Sequence, residues 1–261
     1  MSDPTSPHLD LFAAARPRLP GLIALYGTRR GGVSAHPFDS GNLGFSTGDD
    51  PAAVVENRRR LAAAAGISLD ALVVAGQCHG AEVAVLGVED RGEGARAPSE
   101  RLRGFDALLL QDPGVYALSL SADCPLVVLA DPESRIAGVA HAGWRGTAAG
   151  IVGALVEAFR ARGSRPEALW AAQSPGICGG CYEVGDEVLE AVAGRPGARE
   201  ACSGRFLDLR QIHRAELLAQ GLRAGRVLPS VDCSFEDPQR FFSHRRDRGV
   251  TGRNGVLVGW S

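Results

Sequence analysis

The sequence contains no lysine, so all 28 of its basic residues are arginine, and its one methionine is the first residue. Against these stand 30 acidic residues, which gives a formal net charge of −2. A chain this close to neutrality has no excess of positive charge with which to attract nucleic acid or an anionic membrane. It also lacks any run of about 18 apolar residues, so no transmembrane helix is predicted. We therefore expect neither nucleic acid nor membrane among its partners.

The first twenty residues lack the basic stretch and following apolar segment of a secretory signal peptide. We interpret residues 1–20 as a loosely ordered N-terminal lead and residues 21–261 as one catalytic domain, and we expect a cytoplasmic protein. In that compartment, six cysteines are better explained as free thiols, metal ligands or catalytic groups than as a disulfide framework.

Short apolar runs bounded by turn residues dominate the middle of the chain and predict strands. Helices are predicted after Pro51, over residues 146–163 and in two later segments. Some predicted strands follow one another after short turns, as in hairpins, and others alternate with predicted helices. We therefore expect an α+β fold in which helices flank mixed β-sheets, an α/β sandwich in a single domain. The polar segment 27–50 is long for a loop in a compact domain, which indicates a functional or disordered stretch.

Three possible metal ligands lie where apolar runs end. His79 follows LVVAGQC, Cys124 follows YALSLSAD and His141 follows RIAGVA. One thiolate and two imidazoles suit Zn²⁺, and three protein ligands with an open fourth position is the catalytic arrangement. Their spacing matches no local metal motif, so a buried cysteine with two core or loop histidines remains the alternative.

Copper chemistry is disfavoured by the same residues. A blue-copper site uses two histidines, one cysteine and a weak axial ligand that is often methionine. The one methionine here is the initiator, and a multi-copper cluster would need many more imidazoles than the six histidines supply. We therefore do not expect a copper cofactor.

The segment CGGC (178–181) is a lone C-x-x-C. It could be a redox pair, half of a zinc site or two packed thiols. Without a second C-x-x-C we do not expect a closed four-cysteine site. The two glycines suggest a tight backbone turn, which favours packed thiols over redox chemistry.

Glycines and an arginine precede the helix predicted after His141, in GWRGTAAG. Backbone amides at a helix start favour phosphate, and a guanidinium can bind it through two parallel hydrogen bonds. We assign phosphate or substrate binding to Arg145, to Arg58 of the ENRRR segment and to Asn42 of the long polar loop. The alternative for the arginines of ENRRR is a solvated helix face.

Several segments together resemble the laccase-domain family, also called the multicopper polyphenol oxidase or peptidoglycan-editing-factor family. They are QCHG, SADCPLVVLADP, AHAGWRG, SPGICGGCYEVG and FFSHRRDRGVTGR. The resemblance extends from about Tyr26 to Arg253, and its metal ligands fall on His79, Cys124 and His141. The sequence departs from the family pattern in CGGC and also at Cys78, Ser174 and His244, none of which belongs to that trio.

The resemblance implies a zinc enzyme in which His79, Cys124 and His141 also serve as the catalytic groups. Its implied reactions are phosphorolysis of adenosine, inosine, guanosine and methylthioadenosine, and deamination of adenosine. Purine nucleosides and phosphate are then the partners, whereas the preferred nucleoside and the oligomeric state are left open. Two alternatives remain: a metal-free Cys–His hydrolase built on Cys124, and a regulator acting in peptidoglycan precursor editing.

Overall fold

A computed structural model describes residues 6–261 of the chain. In this part of the chain, thirteen strands form two large sheets and a small hairpin, with five α-helices and short 3₁₀ turns between them. The strands are β1 (His8–Asp10), β2 (Leu22–Gly27), β3 (Leu72–Val73), β4 (Val83–Leu86), β5 (Ala107–Leu110), β6 (Tyr116–Ser121), β7 (Leu126–Asp131), β8 (Ile136–His141), β9 (Trp170–Gln173), β10 (Cys202–Ser203), β11 (Phe206–Leu207), β12 (Val227–Leu228) and β13 (Asn254–Trp260). The helices are α1 (Pro51–Ala64), α2 (Trp144–Ala149), α3 (Ile151–Arg160), α4 (Asp186–Val192) and α5 (Leu209–Ala219).

Both large sheets mix parallel and antiparallel pairs. The first has the order β1-β2-β13-β6-β3, in which only β3 runs parallel to its neighbour. The second has the order β12-β9-β7-β8-β5-β4, with parallel pairs at its two edges. The expected fold class, mixed sheets flanked by helices, is therefore confirmed.

The layers of the sandwich follow from the side chains of β7. Because successive residues of a strand point to opposite faces, Leu126 and Val128 join the core between the two sheets. Val127 and Leu129 join the core under α3 and α5 instead. A strand that is covered on both faces typically has a continuous run of apolar residues, and β7, with the sequence LVVLAD, has such a run. On the outer face of the first sheet, α1 contributes Leu61 to a third core.

The helix predicted over residues 146–163 is two helices. Gly150 lies between α2 and α3 with φ at +85°, in the left-handed region where glycine is favoured. A Cβ there would also lie 2.9 Å from an Nη atom of Arg195. The first of these helices begins at Trp144, earlier than predicted, so Trp144 and Arg145 belong to its first turn.

The N-terminal segment also differs from its prediction. Residues His8–Asp10 pair with β2, and Phe12 and Leu19 are fully buried in the core between the sheets. Ordered packing therefore begins well before residue 21, while the part of the predicted lead at residues 1–5 lies outside the described residues. The division into a lead and a domain at residue 21 stays a prediction.

The polar loop 27–50 is anchored by two side chains of α1. The amide of Asn57 donates to Ser34 Oγ and to the carbonyl of Asn42, both at 2.8 Å. The guanidinium of Arg58 donates to the carbonyl of Leu43 at 2.8 Å. Among residues 6–261, no helix has the length and hydropathy that crossing a membrane requires.

Candidate functional site

Three connections of the fold bring His79, Cys124 and His141 together. His141 ends β8, Cys124 lies between β6 and β7, and His79 lies in the loop after β3. Their ligand atoms all lie within 4.8 Å of one another. The two imidazole centroids are 4.9 Å apart, with the rings inclined at 69°. The chain thus has a group of side chains able to hold a metal ion.

Asp106 orients two of these three groups. Its Oδ1 lies 2.9 Å from Nδ1 of His141 and accepts the backbone N–H of His79 at 2.9 Å. Its Oδ2 accepts the N–H groups of Cys78 at 2.9 Å and Gly80 at 2.8 Å. A carboxylate bound to Nδ1–H leaves Nε2 of His141 as the donor atom, as in carboxylate–histidine–metal arrangements.

The electrostatics of the group favour a thiolate. Burial by itself raises the pKa of Cys124, but the charge of His141 and hydrogen bonds from His141 and His79 lower that pKa to about 6. Burial likewise opposes the charged form of His141, whereas Cys124 and Asp106 raise its pKa to about 9. The thiolate therefore forms at neutral pH and attracts positive charge, which a bound divalent cation also supplies.

Replacement of Asp106 by asparagine is expected to lower metal affinity about 10- to 100-fold, the usual effect of losing such an outer partner. The new amide group has one acceptor oxygen in place of two, so either the bonds to His141 and His79 or those to Cys78 and Gly80 are lost, and the ligand loop loses support in both cases. Competition with a chelator of known affinity measures the change. Asp70→Asn is the control, because Asp70 is exposed and its carboxylate pairs with Arg96. Equal metal affinity in the two variants would contradict this role.

Gly143 lets the backbone after His141 approach the thiol closely. A Cβ at this position would lie 2.8 Å from Cys124 Sγ and 3.5 Å from Cδ2 of His79. Its φ of −67° is ordinary, so the requirement for glycine is one of space and not of backbone conformation.

Gly143→Ala is therefore expected to displace the sulfur of Cys124 and lower kcat/KM roughly tenfold, less than the 100-fold that a 1 Å misplacement can cost. Steady-state kinetics with adenosine, a substrate that the family resemblance implies, measure the loss, and thermal unfolding checks that the fold persists. Gly194→Ala is the matched control, since a Cβ there meets nothing within 4 Å. If both variants kept full activity, close packing at Gly143 would not matter to the site.

A cavity of about 630 Å³ opens beside the three ligands. This volume lies within the roughly 300–1,000 Å³ typical of small-molecule sites. Its lining combines aromatic and aliphatic side chains with a few polar ones, including Phe45, Gln77, Leu120, Ile177, Tyr182 and Arg253. The arrangement fits a ligand that is mostly flat and apolar but carries polar groups at its edges.

Arg145 lies at this cavity with its guanidinium over the ring of Trp144, 4.3 Å from the ring centroid. Within residues 6–261, its guanidinium has no carboxylate or carbonyl partner, and the residue is exposed. A stacked guanidinium keeps its hydrogen-bond donors free at the edge of the plane. Arg145 is thus placed to receive an anion.

The other two predicted binding residues are already bonded within the protein. Arg58 lines the cavity, but it is buried and donates to the carbonyls of Leu43, Gly94 and Ala95. Asn42 is fully buried and is not part of the cavity lining. Its amide donates to Gly44, Thr47 and Asp49, and its oxygen accepts from Gly44 and Arg253. Direct contact of Arg58 or Asn42 with substrate stays a prediction.

The sequence interpretation missed Asp106, Tyr182 and Arg253. Asp106 directly precedes the apolar strand β5, whereas His141 ends β8, so the signal that selected His141, a polar residue after an apolar run, does not reveal Asp106. Arg253 lines the cavity and donates to the carbonyls of Thr251 and Gly252. Tyr182 and Arg253 occur in segments that carry the family resemblance, and only that resemblance could have found them.

Known proteins resemble this chain over most of its length, in sequence and in structure. The chain is 38% identical to "Purine nucleoside phosphorylase YlmD" of Geobacillus stearothermophilus, with 93% of this chain and 92% of the relative covered. It is 36% identical to "Adenosine deaminase RL5" from an unknown prokaryotic organism, covering 86% and 88% of the two chains. The crystal structure of YlmD from G. stearothermophilus superposes with a TM-score of 0.88 at 34% identity, covering 99% of this chain and 98% of that one. Residues 23–261 match the family model described as "Multi-copper polyphenol oxidoreductase laccase", and the chain belongs to that family.

Proposed function

We propose that this protein is a zinc-dependent purine nucleoside phosphorylase that also deaminates adenosine. The observation that carries the proposal is the position of the His79, Cys124 and His141 group beside a ligand-sized cavity lined by Arg145, whose guanidinium has no ion-pair partner among residues 6–261. Relatives that cover most of the chain bear the names of both activities. Adenosine, inosine, guanosine and methylthioadenosine are the proposed nucleosides, and the cytoplasm is the proposed location.

The donor set fits zinc better than copper. Two imidazoles and one thiolate leave a tetrahedral zinc ion with an open fourth position. A blue-copper centre adds a methionine or similar axial ligand, and the one methionine lies at residue 1. When bound, zinc acts as a Lewis acid that acidifies water and polarises a substrate oxygen.

The chain's own residues bind and orient the two substrates. Arg145 holds phosphate through parallel N–H groups, so that phosphate lies beside the nucleoside. Phosphate then attacks the anomeric carbon as the bond from that carbon to the purine nitrogen breaks, and the free purine leaves with a proton on that nitrogen. The apolar side chains of Phe45, Leu120 and Ile177 cover the purine and exclude water from its faces. In deamination, water attacks C6 of the purine and the amino group of that carbon leaves as ammonia, so no contact to phosphate is required.

The proposal is tested by incubating the purified protein with adenosine, with and without phosphate. Adenine plus a pentose phosphate is expected only when phosphate is present. Inosine is expected without phosphate, and inosine together with the hypoxanthine formed from it is expected with phosphate. Removal of metal with a chelator and re-addition of zinc should abolish and then restore both products. Absence of all these products from a zinc-loaded protein would refute the proposed activities.

A metal-free Cys–His hydrolase is the second candidate, because the lowered pKa of Cys124 beside His141 is also a feature of thiol nucleophiles. Removal of metal with a chelator distinguishes this hydrolase from the proposed zinc enzyme. A thiol hydrolase acting on an amide would keep its activity after metal removal and lose it on alkylation of Cys124. The proposed zinc enzyme would lose activity in both treatments and recover only from the first.

A further inference from the structure

A second group of metal-binding side chains lies outside the cavity lining. Its members are Cys178, Cys181, Cys233 and Glu236, whose sulfur and carboxylate atoms all lie within 4.8 Å of one another. The first two come from the C-x-x-C turn, and the other two come from a later segment with the same spacing, C-x-x-E. The lone C-x-x-C therefore has a partner, which its own sequence motif did not reveal.

The backbone holds the two segments in fixed register. Gly176 and Cys233 form a parallel bridge, and the N–H of Ser234 donates to the carbonyl of Gly176 at 3.0 Å. The N–H groups of Cys181 and Tyr182 both donate to the carbonyl of Cys178 at 3.0 Å, which closes the turn. The sulfur atoms therefore converge because of the backbone and do not depend on flexible side chains alone.

One contact in this group is typical of a thiolate that binds metal. It is the backbone N–H of Cys178, which donates to Sγ of Cys233 at 3.3 Å. Without metal, the thiol of Cys181 donates to Oε1 of Glu236 at 3.3 Å, and zinc would replace that proton. N–H donors to a ligating sulfur stabilise its anionic form. Within residues 6–261, no basic side chain bonds to these sulfur or carboxylate atoms, so the protein itself supplies no countercharge.

We propose that Cys178, Cys181, Cys233 and Glu236 form a second, structural zinc site. Four protein ligands, three of them thiolates, match the closed coordination of structural zinc. With zinc–sulfur bonds of about 2.3 Å, the sulfur atoms of a tetrahedron lie about 3.8 Å apart. Ligand atoms within 4.8 Å of one another reach that geometry through small side-chain movements. The proposal does not rest on the proposed enzymatic function.

Zinc at this place would join two segments that position the first site. Next to Cys178, the N–H of Ile177 donates to the carbonyl of Asp123 at 2.8 Å. Next to Cys233, the hydroxyl of Ser234 donates to Oδ1 of the same aspartate at 2.7 Å. Asp123 precedes Cys124 and has φ at +94°, a conformation that a non-glycine residue keeps only when its surroundings hold it. The second zinc would thus help to fix the loop of Cys124.

The test counts zinc in full-length protein purified under reducing conditions without added metal. We expect about two zinc ions per chain in the wild type and about one in Cys124→Ala. A Cys178→Ser/Cys181→Ser double variant should also hold about one, and Cys202→Ser, a cysteine outside both groups, should hold two. The milder Glu236→Gln should keep the fold and lose zinc faster to a chelator.

Cobalt substitution identifies the ligands independently of activity. In the Cys124→Ala background, strong thiolate-to-cobalt absorption is expected from the three-cysteine group and should vanish in the added double variant. A Cys124→Ala protein that holds neither zinc nor cobalt would overturn the proposal, and so would a disulfide among Cys178, Cys181 and Cys233 in freshly purified protein. The proposed enzyme activity fails separately, through the absence of nucleoside products from the wild type.

Discussion

Cys124→Ala is expected to remove the zinc ion of the candidate active site and to abolish turnover of purine nucleosides. Cys124 is the one thiolate among the three ligand groups, and two imidazoles alone do not make a stable zinc site. Lewis-acid assistance by a metal is worth several kcal/mol, so its loss should lower kcat roughly 1,000-fold or more. Phosphorolysis and deamination should disappear together, because both use the same site.

The measurement combines zinc analysis with assays of both reactions on one preparation. Cys202→Ala is the matched control, since Cys202 lies in the hairpin strand β10 and belongs to neither metal group. Zinc content and turnover in the control should equal those of the wild type. A Cys124→Ala protein with undiminished zinc and normal turnover would show that the metal is held elsewhere.

The fold was predictable where the pattern of side chains is local. β7 is a continuous apolar run, and α1 begins with Pro51 behind Asp50, whose carboxylate caps the backbone N–H of Ala52 at 2.9 Å. The break at Gly150 was not predictable, because residues 146–163 contain four glycines and the sequence does not show which of them ends a helix in a left-handed conformation. Strand β1 was not predicted, because its three residues are too few to show the alternation of apolar and polar side chains that indicates a strand.

For the candidate site, the sequence indicated the three possible ligands but not the residues around them. His79, Cys124 and His141 stand at the ends of apolar runs, which made them candidate ligands, whereas their convergence from strands of both large sheets is seen only in the structure. The grouping of the Cys178 and Cys233 thiols was not predictable, because 55 positions separate these residues and only the tertiary fold pairs their segments. The role of Asp106 was missed because outer partners of a ligand have no spacing rule.

Arg145→Lys is expected to impair phosphorolysis much more than deamination. The guanidinium lies over Trp144 at the cavity and has no other partner in the described part of the chain, so its donors are free to bind phosphate. A lysine keeps the charge but cannot form two parallel hydrogen bonds to phosphate. Losing such a charged pair costs about 1.5–3 kcal/mol, which is roughly a 10- to 150-fold fall in kcat/KM for phosphate.

Steady-state kinetics of both reactions on one Arg145→Lys preparation make the distinction. The KM for phosphate should rise more than the KM for the nucleoside, and adenosine deamination should change little, because water is its nucleophile. Arg96→Lys is the control, since Arg96 is exposed and pairs with Asp70. If Arg145 instead only stabilised the first turn of α2, which follows His141, zinc retention and both activities would fall together. An equal loss in phosphorolysis and deamination would therefore exclude a specific role for Arg145 in holding phosphate.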